Sequence, residues 1–247
     1  MYYAAHLDTV PITGRTRFIN ISKSAEKRLG KQAFDAVAHS ERANITTQNK
    51  ALIESILKKL SATSGIPEFQ KTDWKVLVLN NAQPNAFVLP GGYCVVYSGI
   101  FPLAKTVDGL ACVLSHEAAH VLARHGSERV SKSMFLFPFA MLISSTLGIP
   151  IEVVSSASKL LMELPNSRLQ ESEADEIGAV LMARSCIYDP NAAPKFWKRF
   201  REAVKESSPE LLSTHPSSER RERELLEMMN KMEEERAKFC KKPLRKA

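Results

Sequence analysis

Apolar residues recur with two different spacings along the chain, and the spacing divides it into helical and extended stretches. Between residues 24 and 60 the spacing is three to four, as in the apolar stripe on residues 52–60, which predicts helix. Three short runs of strand-forming residues come next, and the turn sequence Pro90-Gly91-Gly92 separates the second from the third. The predicted strands are Trp74–Leu79, Ala86–Leu89 and Tyr93–Tyr97.

The helical spacing returns beyond the third strand and continues to the end of the chain. Asp108 is a suitable N-cap for a helix that reaches Arg124. The chain has 247 residues with no repeat and no long linker, which predicts one helix-rich α+β domain, 1–247, with one small sheet. Further helices are predicted at 151–164, 168–185, 190–206 and 217–239. The predicted parts are an irregular segment, 1–23, a core, 24–216, and a charged C-terminal helix, 217–247.

Charge and cysteine content exclude several classes of protein. The formal net charge is +7, but basic residues are mixed with acidic ones and no basic stretch is interleaved with aromatics. We therefore expect no nucleic-acid partner. The four cysteines, Cys94, Cys112, Cys186 and Cys240, form no C-x-x-C pair. This spacing predicts reduced structural thiols, with neither a disulfide framework nor a thiolate metal site.

Neither the N-terminus nor the longest uncharged stretch has the pattern of a targeting or membrane segment. The N-terminus lacks the basic start and apolar run of a secretory signal. Residues 134–151 carry no charge, but prolines, a glycine and hydroxyl residues interrupt the apolar run. We expect a buried or interface helix here rather than a membrane span.

The run His116-Glu117-Ala118-Ala119-His120 is the strongest chemical signal in the sequence. On a helix, residues four apart share a face, so both imidazoles can bind one zinc ion. Glu117 would then lie beside the metal without being a ligand, as a general base requires. A chance match in an amphipathic helix is the alternative explanation of the pentapeptide alone.

A catalytic zinc ion usually has a third protein ligand. A third histidine at the spacing of the three-histidine class is excluded, because His125 is one position short of it. Glu171, in a later predicted helix, can supply the ligand instead, with a solvated helix charge as the alternative reading. Asp175, one turn further on, can accept a hydrogen bond from a ligand histidine. Glu173 points about 200° away from Glu171 on an ideal helix, so Glu171 is preferred.

Four motifs follow one another along the chain, and they are Asn85-Ala86-Phe87 with Pro90-Gly91-Gly92, His116–His120, Glu171–Asp175 and Ser213-Thr214-His215-Pro216. Together they resemble one family of zinc peptidases, which includes the type I CAAX prenyl protease and the bacterial heat-shock peptidase HtpX. The resemblance is closest to the mitochondrial inner-membrane stress peptidases of the Oma branch, which the stretches 11–18 and 188–190 also resemble.

The resemblance implies a zincin-like (gluzincin) fold with a β-hairpin beside the active-site helix, and one zinc ion per chain. It places His215 near the metal, as an oxyanion donor or as an inhibitory ligand, and Asn85 beside the bound peptide. It also implies protein or peptide substrates and the mitochondrial inner membrane. Members of the branch carry a membrane-spanning segment before this domain, and none is visible here; a membrane surface and a homo-oligomer remain open. The alternative is a zinc-stabilised, non-catalytic chaperone or scaffold.

Overall fold

A four-stranded sheet lies between helices that pack on it. In the computed structural model, which describes residues 2–147, 151–207 and 219–240, its strand order is β3-β4-β6-β5. β6 pairs in parallel with β4 and antiparallel with β5, which confirms the predicted hairpin and leaves β5 at the edge. The predicted strands are confirmed, and a two-residue strand, β3, is added. The bounds are β3 Ile45–Thr46, β4 Lys75–Leu79, β5 Ala86–Leu89 and β6 Tyr93–Tyr97.

Helices make up most of the remaining chain. The predicted helical region 24–60 is two helices, because a 3-10 turn at Arg42–Asn44, strand β3 and a left-handed residue, Asn49, separate them. The two helical patterns after residue 150 belong to one continuous helix, α8. The bounds are α2 Lys23–Ser40, α3 Lys50–Ala62, α4 Pro67–Gln70, α5 Phe101–Ala104, α6 Val107–Leu122, α7 His125–Leu147, α8 Ile151–Arg184 and α9 Ala192–Ser207.

Helix α6 is the central element of the core. It starts two residues earlier than predicted, because Thr106 rather than Asp108 accepts the capping hydrogen bond, from the backbone N–H of Gly109 at 3.0 Å. The helix packs against α3, α8, α9 and strand β5. Gly178 permits the close approach of α8, because a Cβ there would lie only 3.1 Å from the backbone nitrogen of His116. The small residue thus sets how near α8 comes to the histidines of α6.

The N-terminal segment is ordered, so the prediction of an irregular stretch and of a single sheet was wrong. A short helix, α1 (Tyr2–Ala5), precedes a two-stranded antiparallel ribbon of β1 (Leu7–Thr9) and β2 (Thr16–Phe18). Strands of three residues are too short for an alternating pattern to appear. Arg17 on β2 is buried and pairs with Asp8 on β1 at 3.1 Å.

The C-terminal part corrects two further expectations. The charged helix is two helices, α10 (Glu219–Glu227) and α11 (Met229–Phe239). Cys186 and Cys240 form a disulfide with their Cα atoms 5.6 Å apart, whereas reduced thiols were predicted. Sequence spacing gave no sign of it, because packing of α11 against α8 brings together residues 54 positions apart. Cys94 and Cys112 are buried free thiols, as expected.

The apolar stretch after residue 133 belongs to α7 as far as Leu147. The predicted helix is confirmed as far as Leu147. Met134, Met141 and Leu142 on it are more than half exposed, which fits the interface alternative of that prediction and not the buried one at these three positions. Within the described ranges, no helix combines the length and apolarity that crossing a bilayer requires.

Candidate metal centre

Three predicted ligands from two helices converge on one point. His116 and His120 are one turn apart on α6, and Glu171 reaches them from α8. The Nε2 atoms of the two histidines are 3.1 Å apart. Glu171 lies 3.3 Å from His116 Nε2 through one carboxylate oxygen and 3.2 Å from His120 Nε2 through the other. All three side chains are largely buried, so their lone pairs face each other instead of water.

The spacing of these atoms fits a single metal ion. Ligand atoms about 2.0–2.1 Å from a tetrahedral zinc ion lie about 3.3 Å from one another. The separations between facing donor atoms here are 3.1, 3.2 and 3.3 Å, with one Glu171 oxygen near each histidine, and they lie close to that value. Two imidazoles and one carboxylate are also a donor set that zinc prefers. The residues present therefore fit a catalytic metal ion of this type.

The imidazole of His116 is held from its far side by a buried ion pair. Its Nδ1 lies 2.9 Å from Asp175, the position that the sequence predicted for this role. Arg221 of α10 donates to both oxygens of Asp175, at 2.7 and 2.9 Å, and also lies 3.1 Å from Glu171. Burial acts to raise the pKa of Asp175, but the charge and hydrogen bonds of Arg221 together with His116 outweigh it and lower the pKa. Trp197 packs against His116 on one side and the Arg221 guanidinium on the other.

The imidazole of His120 is held by a second histidine, which the sequence analysis missed. His125 is one position short of the spacing of a third ligand histidine, yet its Nδ1 lies 2.8 Å from Nδ1 of His120. The other ring nitrogen of His125 lies 2.9 Å from Glu173. Glu173 does point away from the ligand position, as predicted, and its carboxylate faces His125 instead. The sharp turn after α6, where Arg124 has a φ of 54°, produces this contact, and helical spacing could not reveal it.

Two of the three other candidate residues lie within the described part of the chain. Glu117 is buried on α6 between the two histidines in sequence. Asn85 directly precedes edge strand β5, and its carbonyl accepts a hydrogen bond from the Tyr97 N–H at 2.9 Å. His215 lies outside the described residues.

Comparison with known proteins points to one family. The model of peptidase family M48 matches residues 47–229. The mitochondrial metalloendopeptidase OMA1 of Schizosaccharomyces pombe is 37% identical over 234 residues, covering 93% of this chain and 68% of that protein. The human metalloendopeptidase OMA1 is 28% identical, covering 88% of this chain and 45% of that protein. The β-barrel assembly-enhancing protease of Escherichia coli is 27% identical, covering 89% and 47%.

Proposed function

The chain belongs to peptidase family M48 and is a metalloendopeptidase, and we propose that it works with one zinc ion held by His116, His120 and Glu171. Family membership confirms the resemblance described above, including its Oma branch. The observation that carries the zinc proposal is the convergence of three largely buried donor side chains from α6 and α8, whose facing atoms are 3.1–3.3 Å apart. Two histidines and a glutamate on a second helix are the ligand set of a gluzincin.

The hydrolytic step uses Glu117 as general acid and base. A zinc ion held by His116, His120 and Glu171 would act as a Lewis acid towards the scissile carbonyl and would make a water molecule more acidic. Glu117 takes a proton from the attacking water and transfers it to the leaving amine. Its place in sequence, directly after His116, keeps it beside the metal without occupying a ligand position. Asp175 holds His116 in the tautomer that presents Nε2 to the metal.

The edge of the sheet provides a docking site for an extended peptide. Among the described strands, β5 is an edge strand of the sheet, and it packs against α6, which carries the two histidines. An added strand would hold its backbone through main-chain hydrogen bonds. Asn85, just before β5, is placed to bind a substrate amide. Protein or peptide chains in extended form are therefore the substrate class.

For His215 we propose one of two roles. As a donor it would stabilise the oxyanion that forms during hydrolysis. As a further ligand it would block the open metal position and keep the enzyme inactive at rest. The oxyanion reading is preferred, because a peptidase needs an electrophilic group beside the metal.

We infer the cellular role of this chain from the proteins to which it is similar. The yeast, plant and animal relatives are named as mitochondrial metalloendopeptidases, so we place this chain in the mitochondrion, at the inner membrane. Membrane-associated quality control or stress-responsive processing is the corresponding function. The chain covers less than half of the human and bovine relatives, and contact with a membrane surface and self-association belong to the same proposal. A non-catalytic zinc scaffold is the alternative, and Glu117 argues against it because a structural zinc needs no such base.

The decisive test distinguishes the role of the metal ligands from the role of Glu117 as general base. Glu117→Gln preserves the shape of the side chain but cannot take a proton. We expect it to keep about one zinc per chain by elemental analysis and to lose nearly all cleavage of a quenched peptide. A second variant, His120→Ala, should lose both zinc and cleavage. Cleavage by Glu117→Gln at more than a few per cent of the parent rate would show that Glu117 is not the base.

A further inference from the structure

His125 connects a metal-facing imidazole to a buried carboxylate. Its side chain is fully buried at the start of α7. One ring nitrogen lies 2.8 Å from His120 Nδ1 and the other 2.9 Å from Glu173 Oε2. The rings of His120 and His125 are steeply inclined, at 72°, so their contact runs edge to face and not through stacking. His125 therefore stands between His120 and Glu173.

The proton positions along this connection follow from the chemistry of the two ends. A neutral His120 that offers the Nε2 lone pair to a metal carries its proton on Nδ1. That N–H donates to Nδ1 of His125, which must then carry its own proton on Nε2. The Nε2–H of His125 donates to Glu173, a carboxylate that can only accept when ionised. Each hydrogen bond thus fixes the direction of the next.

The N-terminal ribbon completes the arrangement from the other side. Glu173 accepts hydrogen bonds from Arg15 Nε at 2.8 Å and from the Thr13 hydroxyl at 2.6 Å. Arg15 also donates to both oxygens of Glu128, at 3.0 and 2.7 Å. With His125, the carboxylate of Glu173 thus faces three hydrogen-bond donors, and its oxygens serve as acceptors to all of them.

The turn that positions His125 is itself anchored to the same N-terminal segment. Arg124, which adopts the left-handed conformation, donates to Glu26, to Asp8 and to the carbonyl of Ile21. Both the orientation of His125 and the charge that it faces thus depend on residues upstream of position 30.

We propose that His125 is a positioning residue for His120, and that Arg15 of the N-terminal ribbon acts on the metal through Glu173 and His125. This inference rests on the proposed zinc ligands. Each proposed ligand histidine is then oriented by a buried carboxylate. Asp175 contacts His116 directly, and Glu173 contacts His125, which in turn contacts His120. Zinc affinity accordingly depends on a loop more than a hundred positions before the ligands it supports.

Two substitutions of His125 test the first part. His125→Leu removes both hydrogen bonds and should weaken zinc binding about 10- to 100-fold, the usual effect of losing an outer-shell partner. His125→Asn retains an oxygen that can accept from His120 Nδ1–H, so it should bind zinc more tightly than the leucine variant. Competition with a chromogenic chelator gives both dissociation constants. The visible spectrum of the cobalt(II)-substituted protein reports altered ligand geometry independently of activity.

Arg15→Ala tests the connection to the ribbon. It should weaken zinc binding up to about 10-fold in the parent and should have no further effect in the His125→Leu protein. The matched control is Arg184→Ala. Arg184 also pairs with a glutamate, Glu235, at 2.7 Å, and its side chain is 17% exposed against 22% for Arg15. It lies at the end of α8, thirteen residues or about 20 Å of helix beyond Glu171, and its loss should leave zinc affinity unchanged.

The outcomes separate this inference from the proposed function. Loss of zinc in His120→Ala combined with parent affinity in His125→Leu overturns the inference and leaves the ligand set standing. Zinc retained by His120→Ala overturns the ligand set itself. Equal weakening by Arg15→Ala in both backgrounds refutes the route through His125. If His125→Leu fails to fold, parent affinity in both His125→Asn and Arg15→Ala overturns the inference.

Discussion

Replacing Asp175 with asparagine tests whether a buried charge holds the first ligand histidine. The substitution removes the negative charge and keeps the size of the side chain, so it leaves no cavity. Asp175 lies 2.9 Å from His116 and accepts two hydrogen bonds from Arg221, at 2.7 and 2.9 Å. An asparagine has one acceptor oxygen for these two partners. The change therefore weakens both the contact that orients His116 and the ion pair that neutralises Arg221.

The expected magnitudes follow from these contacts. Removing one partner of a buried ion pair costs about 3–5 kcal/mol, because the other charge is left buried. Arg221 keeps Glu171 at 3.1 Å, so we expect the lower end, about 3 kcal/mol, in the free energy of unfolding of the metal-free protein. Loss of the outer-shell bond to His116 should weaken zinc binding about 10- to 100-fold.

Two measurements and one control decide this prediction. Urea unfolding in the presence of a chelator gives the stability, and chelator competition gives the zinc dissociation constant. The control, Asp35→Asn, removes an exposed carboxylate that pairs with Lys31 at 2.6 Å, and should change the stability by less than about 0.5 kcal/mol. Unchanged zinc affinity in Asp175→Asn, whatever its stability, would mean that Asp175 serves only to neutralise Arg221.

Three further predictions concern other parts of the chain. His215→Ala should lower the turnover rate about 100- to 1000-fold if His215 is an oxyanion donor, and should raise the basal rate if it blocks the metal; an unchanged rate on a quenched peptide would refute both readings. Cys186→Ser should have a free energy of unfolding about 2–4 kcal/mol below that of the parent in urea without a reducing agent, and the two proteins should be equally stable once the parent is reduced. Equal stability of parent and variant without a reducing agent would contradict the disulfide. Burial acts to raise the pKa of Glu128, but Arg15 and Lys132 together outweigh it and lower the pKa to about 2. The ionised carboxylate of Glu128 should therefore contribute its full stabilisation above pH 4.5, and this stabilisation should be lost as the pH falls towards 2. Acid titration of the metal-free protein should show a smaller decrease in Glu128→Gln than in the parent, and identical curves would argue against the pairing.

What the sequence predicted correctly depends on spacing within one element. The pairs His116 with His120 and Glu171 with Asp175 are each four residues apart, and a helix brings such pairs onto one face whatever surrounds it. The hairpin of β5 and β6 was equally local, because its turn and alternating strands are adjacent in sequence.

What the sequence missed depends on contacts between distant residues. His125 meets Glu173 across 48 positions, and Arg15 meets Glu173 across 158. Cys186 and Cys240 are joined only because two helices pack side by side. Helical and strand periods carry no information about such pairs, since any face that packs inward would satisfy the same pattern. A single left-handed residue after α6 was enough to redirect His125 towards its neighbour.

The charges around the site explain why a divalent cation suits it. The carboxylates and basic groups gathered here are buried or partly buried, and burial makes an excess of one sign costly. If all eight of these groups are ionised, they carry five negative and three positive charges, which leaves a net charge of −2. A zinc ion would cancel that excess at the point where the ligand atoms already converge, and metal binding should therefore stabilise the packing of α6 against α8. The set comprises Glu117, Glu128, Glu171, Glu173 and Asp175, with Arg15, Lys132 and Arg221.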